Sequence, residues 1–272
     1  MKYFTVDDDF KQIIEKFLDC NISIEPISTG WTNFVFKVIT ENNKYIFRFP
    51  RNNFFSNVLI KEVSFLEYVK DKISTPVPNG KLVYDNSRPF TYHEMIPGRN
   101  LAEVYSTLTE NEKEKIADQI SNFIYELQQI SLEDIKINLP TTSQFLAELS
   151  KVDSEYYDFN QHNALIEQEK NGSVLNHADL NPGNVLLDKN NNVCAIIDFA
   201  FVSKSSKIND ISRLIGRLPK EFHETMLNAY NKKFNSNIGM DEVNLLIDMW
   251  DYVDAHYINY MIKNHPEVDI RR

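Results

Sequence analysis

The chain is expected to fold as an α+β protein of two lobes, a small antiparallel-sheet lobe through about residue 96 and a mostly helical lobe beyond it. Three observations lead there. Short apolar runs with strand-like alternation crowd the first part, among them Ile24–Ile27, Phe34–Ile39 and Lys44–Phe49. Pro97-Gly98 then interrupts the pattern, because Pro removes a backbone donor and Gly opens left-handed conformations. After that break the period turns helical: Thr109-x-x-Glu112 reads as a capping box, and Ile116, Ile120, Phe123, Leu127 and Ile130 follow at steps of four, three, four and three.

In chain order, the first strand pair flanks Ser28-Thr29-Gly30-Trp31-Thr32-Asn33. This is a hairpin turn whose backbone and hydroxyl donors also suit a phosphate. The next strand, Lys44–Phe49, places Tyr45, Phe47 and Phe49 on one face and Ile46 and Arg48 on the other. A helix over 57–70 presents Leu59, Val63, Leu66 and Val69 as its apolar stripe, with Glu62 lying between Leu59 and Leu66. A carboxylate on an apolar face needs a cationic partner, and Arg48 is the natural one; the alternative is a Glu62 that edges the stripe and reaches solvent. A further strand pair breaks at Asp85-Asn86-Ser87-Arg88-Pro89 and runs into Tyr92–Gly98, where Pro97-Gly98 reads either as an ordinary strand-end turn or as a hinge that leaves backbone groups of Glu94 and Ile96 available to a nucleotide base.

The segment that carries chemistry is His177-Ala178-Asp179-Leu180-Asn181-Pro182-Gly183-Asn184. Pro and Gly forbid a continuous helix or strand there, so Asp179 and Asn184 stand at opposite ends of a tight loop. Val185–Leu187 and Val193–Ile197 are apolar runs about the turn Asp188–Asn192, a hairpin that delivers Asp198. Singly, these residues are turn formers and caps. Together, H-x-D-x-x-x-x-N followed by I-I-D-F is the grammar of kinase-type phosphoryl transfer: Asp179 accepts the proton of an incoming hydroxyl, and Asn184 and Asp198 hold Mg²⁺ against nucleotide phosphates. His177 is assigned a structural role. With 7 glycines in the chain, neither G-x-x-x-x-G-K-[ST] nor G-x-G-x-x-G can be written, which removes two rival nucleotide fingerprints.

HADLNPGNVLLD with AIIDFA resembles the aminoglycoside phosphotransferase and choline kinase superfamily, which shares the fold of protein kinases. FRFPR at 47–51 and the helix containing Lys61-Glu62-Val63 are most similar to the aminoglycoside 2''-phosphotransferases and, nearly as well, to the macrolide phosphotransferases. The resemblance runs from about residue 24 to about residue 215. It implies a two-lobed protein-kinase-like fold, with 1–96 a nucleotide-binding lobe and 97–272 a helical lobe carrying the catalytic loop and substrate-binding helices. It implies transfer of the γ-phosphoryl group of ATP or GTP, with Mg²⁺, to a hydroxyl of a small cationic molecule, an aminoglycoside first. On this pattern Arg48 and Glu62 set the nucleotide phosphates with Ser28 and Gly30, Ile46 floors the base pocket, and Asp210 braces the catalytic loop. Arg48 stands where the kinase pattern has Lys, and its fork offers a different phosphate geometry. Kinases of macrolides, choline or other small alcohols would use the same residues. A nucleotide-binding pseudokinase is the reading outside enzymes, and the intact Asp179, Asn184 and Asp198 count against it.

Residues 131–173 read as amphipathic helices of a substrate-binding insertion, in which Tyr156-Tyr157 line a pocket or simply pack. The tail is acidic: Leu246, Met249, Val253, Tyr257 and Tyr260 form a helical stripe flanked by Asp248, Asp251 and Asp254. These acids are a solvated face or, as the resemblance implies, partners for acceptor ammonium groups. A net charge of −10 favours a cationic substrate and disfavours nucleic acid. No apolar window suggests a membrane span, Asp7-Asp8-Asp9 argues against a signal peptide, and Cys20 with Cys194 makes no disulfide framework, Cys194 being expected buried in its strand. A cytoplasmic monomer is the expectation.

Overall fold

The computed structural model describes residues 4–5, 7–27, 30–152 and 163–264. The chain divides into two compact units, residues 1–67, 78–96 and 258–272 in one and 68–77 and 97–257 in the other. The architecture is α+β, with a five-stranded antiparallel sheet in the first unit and mostly helices in the second.

The first unit runs α1 (Phe10–Leu18), β1 (Ser23–Ile27), β2 (Asn33–Ile39), β3 (Lys44–Pro50), the body of α2 (Asn53–Val69), β4 (Lys81–Asp85) and β5 (Arg88–Glu94). The sheet order is β1-β2-β3-β5-β4, antiparallel throughout. Asn86 and Ser87 both take positive φ, 47° and 71°, as a two-residue hairpin between right-twisted strands requires. Alternation in β3 is realised as expected: Phe47 and Phe49 are fully buried, while Arg48 lies on the opposite face. Those rings stack with Phe90 and Tyr92 of β5, Phe49 and Phe90 being 5.0 Å apart.

Helix α1 was not anticipated. Asp9 caps it by accepting from the Gln12 amide, and Phe10, Ile13, Ile14 and Phe17 lie against the Phe47–Phe49–Phe90 face. Phe10 approaches Phe49 to 5.0 Å and Phe17 approaches Tyr92 to 4.9 Å. Each fully buried ring contributes about 1.5–3 kcal/mol of transfer free energy, so this face is the adhesive of the unit.

The second unit contains β6 (Arg99–Asn100), α3 (Leu101–Val104), α4 (Glu110–Gln128), α5 (Thr142–Val152), α6 (Asn163–Lys170), β7 (Val174–Asn176), β8 (Val185–Leu187), β9 (Val193–Ile196), β10 (Ser203–Ser205), α7 (Asn209–Ile215), α8 (Lys220–Phe234) and most of α9 (Met240–Asn264). The capping box of α4 forms as read from the sequence, and Ile116, Ile120, Phe123 and Leu127 are wholly buried, Phe123 lying against His177 and Phe199. Helices α5 and α6 occupy the stretch expected to be amphipathic; Tyr156 and Tyr157 lie outside the described residues.

The β8–β9 hairpin closes through Asp188, whose Oδ1 accepts from the amides of Asn190 and Asn192 at 2.8 and 2.9 Å. Strand β6 joins it in the order β6-β8-β9. Gly98 makes that approach possible, since a Cβ there would lie 3.1–3.2 Å from Leu186 Cβ, Cys194 Sγ and Leu187 O. Cys194 itself is half-buried, correcting the expectation of a buried thiol: β9 is an edge strand, and its Sγ reaches only the Pro97 carbonyl at 3.6 Å. Among the described residues no helix is long and apolar enough to cross a membrane.

Candidate active site

Strand β7 pairs with β10, and the chain leaves β7 directly into His177-Ala178-Asp179. This exit is held from the first turn of α7. Asp210 accepts from the backbone amides of His177 and Ala178, each at 2.8 Å. That grip sustains Ala178 at φ +61°, a left-handed conformation disfavoured for a residue with a Cβ. His177 is fully buried against Phe199, ring centroids 4.4 Å apart. Its Nδ1 accepts from the Asp179 amide at 3.2 Å, so its proton sits on Nε2 and is donated to the Ile197 carbonyl at 3.0 Å. Burial pushes the imidazole pKa down, keeping the ring neutral in this bridge between the loop and the chain after β9.

The turn Pro182–Asn184 follows Asn181, whose side chain accepts from the Gly183 amide at 2.9 Å and donates to the Asp179 carbonyl at 3.0 Å. Asn184 Nδ2 donates to the same carbonyl at 2.9 Å and lies 3.5 Å from Asp179 Oδ2. The Asn184 carbonyl in turn accepts from the Ile197 amide at 3.0 Å, tying the turn to the residue before Asp198. Asp198 also takes a positive φ, 65°. The structure therefore brings Asp179 and Asn184 together and joins both, by backbone, to Asp198.

One partner of Asp179 was missed by the sequence reading. Arg213, one turn after Asp210 on α7, donates to Asp179 Oδ1 through Nη2 at 2.9 Å and Nε at 3.3 Å. The same guanidinium pairs with Asp254 of α9 at 2.7 and 3.0 Å and covers the Trp250 ring at 4.4 Å. Burial raises the Asp179 pKa, and the Arg213 charge works against that rise. The available signal was the i,i+3 spacing from Asp210, which puts Arg213 near the loop that Asp210 grips.

Of the three acids proposed to meet substrate, Asp254 is thus engaged by Arg213 and also touches Arg217. Asp251 is exposed and 3.7 Å from Arg217, and Asp248 is exposed.

In the first unit, Arg48 Nη1 meets Glu62 Oε1 at 2.7 Å, with Glu62 only 1% exposed. The alternative of a solvent-directed Glu62 does not occur. Ile46 is half-buried on the same strand face as Arg48, opposite His93 of β5. The Glu94 carbonyl lies 2.9 Å from His93 Nδ1, and Ile96 is half-buried two residues beyond β5. Gly30 is sterically required, since a Cβ would fall 2.4 Å from the Asn33 carbonyl oxygen. Arg51 Nε donates to the Gly30 carbonyl at 3.2 Å; Ser28 lies outside the described residues.

Comparison with known proteins bears on the fold and the family. Over 95% of the chain and 94% of the other, at 19% identity and a TM-score of 0.71, the fold matches the GDP and kanamycin complex of an APH(2'') enzyme. It matches a streptomycin and ATP ternary complex of another APH(2'') enzyme over 95% and 91% at 19% identity and a TM-score of 0.66. It also matches the macrolide 2'-phosphotransferase of Brachybacterium faecium over 98% and 99% at 13% identity and a TM-score of 0.64. A sequence model of the phosphotransferase enzyme family, APH, spans residues 23–246. With the family model covering most of the chain and the His177–Asn184 loop lying inside it, the protein belongs to the APH phosphotransferase enzyme family.

Proposed function

We propose that this phosphotransferase moves the γ-phosphoryl group of ATP or GTP to a hydroxyl of a small cationic molecule, with an aminoglycoside the favoured acceptor. The observation that carries the reading is the environment of Asp179. One carboxylate oxygen, Oδ1, is fixed by Arg213, while Oδ2 lies 3.5 Å from Asn184 Nδ2. Oδ2 then orients the acceptor hydroxyl and takes its proton as the hydroxyl oxygen bonds to the γ-phosphorus and the bond to the bridging β,γ-oxygen breaks.

Asn184 and Asp198 suit Mg²⁺ as one amide and one carboxylate oxygen. That ion is characteristically held by one or two carboxylates together with substrate phosphates rather than by an all-protein cage. Because Asn184 Nδ2 is committed to the Asp179 carbonyl, its Oδ1 remains the ligand atom. When bound, the ion neutralises charge on the nucleotide phosphates. Arg48, oriented by Glu62, is assigned to those phosphates, the Gly30 turn to covering them, and the Glu94 and Ile96 backbone with Ile46 to the base.

The cationic acceptor is supported by the net charge of −10 and by exposed Asp248 and Asp251 on α9. A macrolide acceptor is the second reading. It is favoured by the commitment of Asp254 to Arg213 and Arg217, which leaves fewer carboxylates for a polycation.

Nucleotide consumption measured against aminoglycosides, macrolides and choline tests the reading. An aminoglycoside is expected to stimulate turnover, and Asp179→Asn to lower it by about 10²-fold or more with nucleotide binding kept. Wild-type turnover by that variant would remove Asp179 from the mechanism.

A further inference from the structure

We propose that Arg213 is a positioning residue for the transfer, a clamp that fixes the rotation of the Asp179 carboxylate and is itself held from behind by Asp254. This rests on Asp179 being the base. The geometry is that of a fork between two acids. Nε and Nη2 converge on Asp179 Oδ1 at 3.3 and 2.9 Å, and Nη1 and Nη2 reach Asp254 Oδ2 and Oδ1 at 2.7 and 3.0 Å. The three side chains are 10%, 20% and 15% exposed for Arg213, Asp179 and Asp254, so the pairs are largely shielded from solvent and from screening ions.

The face of the guanidinium is fixed as well as its edges. It lies 4.4 Å from the centre of the Trp250 ring, within cation–π range, and Trp250 Nε1 donates to Asn209 Oδ1 at 3.1 Å. Asn209 neighbours Asp210, the residue that grips the loop backbone. Helix α7 therefore sets both the backbone of the catalytic loop, through Asp210, and the side chain of Asp179, through Arg213.

A carboxylate needs such a clamp because its terminal torsion is broad and two-fold. Unrestrained, Asp179 would sample orientations in which neither oxygen faces the hydroxyl. With Oδ1 fixed, Oδ2 is presented in one orientation, and the cost of ordering it is met before substrate arrives. Arg suits the task better than Lys, because a planar fork can hold two acids in one plane whereas an ammonium acts as a point charge.

The test uses the full chain with GTP or ATP, kanamycin as acceptor, and water as sole acceptor in parallel. Arg213→Gln is expected to lower kcat by about 10- to 10²-fold, with the KM for nucleotide within about twofold of wild type. Arg213→Lys should recover part of the loss. In an Asp179→Asn background, Arg213→Gln should cause no further loss, because the group it positions is gone. Two outcomes overturn the clamp alone: wild-type kcat per folded molecule in Arg213→Gln while Asp179→Asn is impaired, or the same proportional loss from Arg213→Gln in both backgrounds. Full turnover by Asp179→Asn would overturn the base assignment, and the clamp with it. Should Arg213→Gln fail to fold, Asp254→Asn decides: a several-fold fall in kcat at constant nucleotide KM supports the clamp, and an unchanged kcat overturns it.

Discussion

Single residues in the His177–Asn184 loop are held by partners that satisfy backbone as much as side chain. Asp210 is buried, and burial pushes its pKa up, while the amides of His177 and Ala178, donating to its two oxygens, work against that rise. Asp198 and Asn184 differ in the same terms. As the proposed Mg²⁺ ligands, Asp198 would offer a charged oxygen to a hard cation, whereas Asn184 would offer an amide oxygen and also ties down the Asp179 carbonyl. Asp198→Ala is therefore expected to weaken Mg²⁺-nucleotide binding more severely than Asn184→Ala. Calorimetric titration of Mg²⁺-nucleotide into each variant checks this, and unchanged affinity in Asp198→Ala would refute the metal assignment.

At the scale of the element, α4 shows how a local cap becomes a tertiary tie. Glu112 accepts from the amide and hydroxyl of Thr109, closing the capping box, and from Asn191 Nδ2 in the β8–β9 turn at 2.7 Å. The Asn191 bond and then the Thr109 bonds lower the Glu112 pKa from 4.5 to about 2. A depressed carboxylate stabilises the fold above its unfolded pKa, and that contribution fades as pH falls from about 4.5 towards about 2. Glu112→Gln should thus lower Tm near neutrality and, over the acid range, lose stability less steeply than wild type. Thermal unfolding followed from neutral to acidic pH measures both slopes; parallel slopes would show that Glu112 is not linked to acid unfolding.

At the scale of the whole molecule, the net charge of −10 is the feature that bears on the acceptor. Of the three α9 acids proposed to meet substrate, Asp248 and Asp251 are exposed, while Asp254 is held by arginines. Replacing both with Asn is expected to raise KM for a polycationic acceptor such as kanamycin and leave KM for nucleotide unchanged. Added salt should act in the same direction on the wild type, since exposed charges are screened over about 8–10 Å at physiological ionic strength. Steady-state kinetics across ionic strength tests this. Wild-type kinetics in the double variant would make these acids a solvated helix face.

What the sequence by itself determined was whatever short-range rules govern. Pro182-Gly183 fixed the tight loop, Asp188–Asn192 the hairpin, Thr109 and Glu112 the start of α4, and two-residue alternation the buried face of β3. Arg48 and Glu62 could be paired at a distance because a carboxylate on an apolar stripe has few affordable partners. The tertiary structure decided which distant elements meet. It seated α1 on the Phe47–Phe49–Phe90 face, set Arg99 against Leu187, left Cys194 half-exposed on an edge strand, and joined Asp179, Arg213 and Asp254. Periodicity states which side of a helix a charge occupies, and the α7 spacing placed Arg213 near the loop. Nothing local says that a carboxylate from α9 arrives on the other side of that guanidinium, because that contact is fixed only when the apolar faces of the helices have packed.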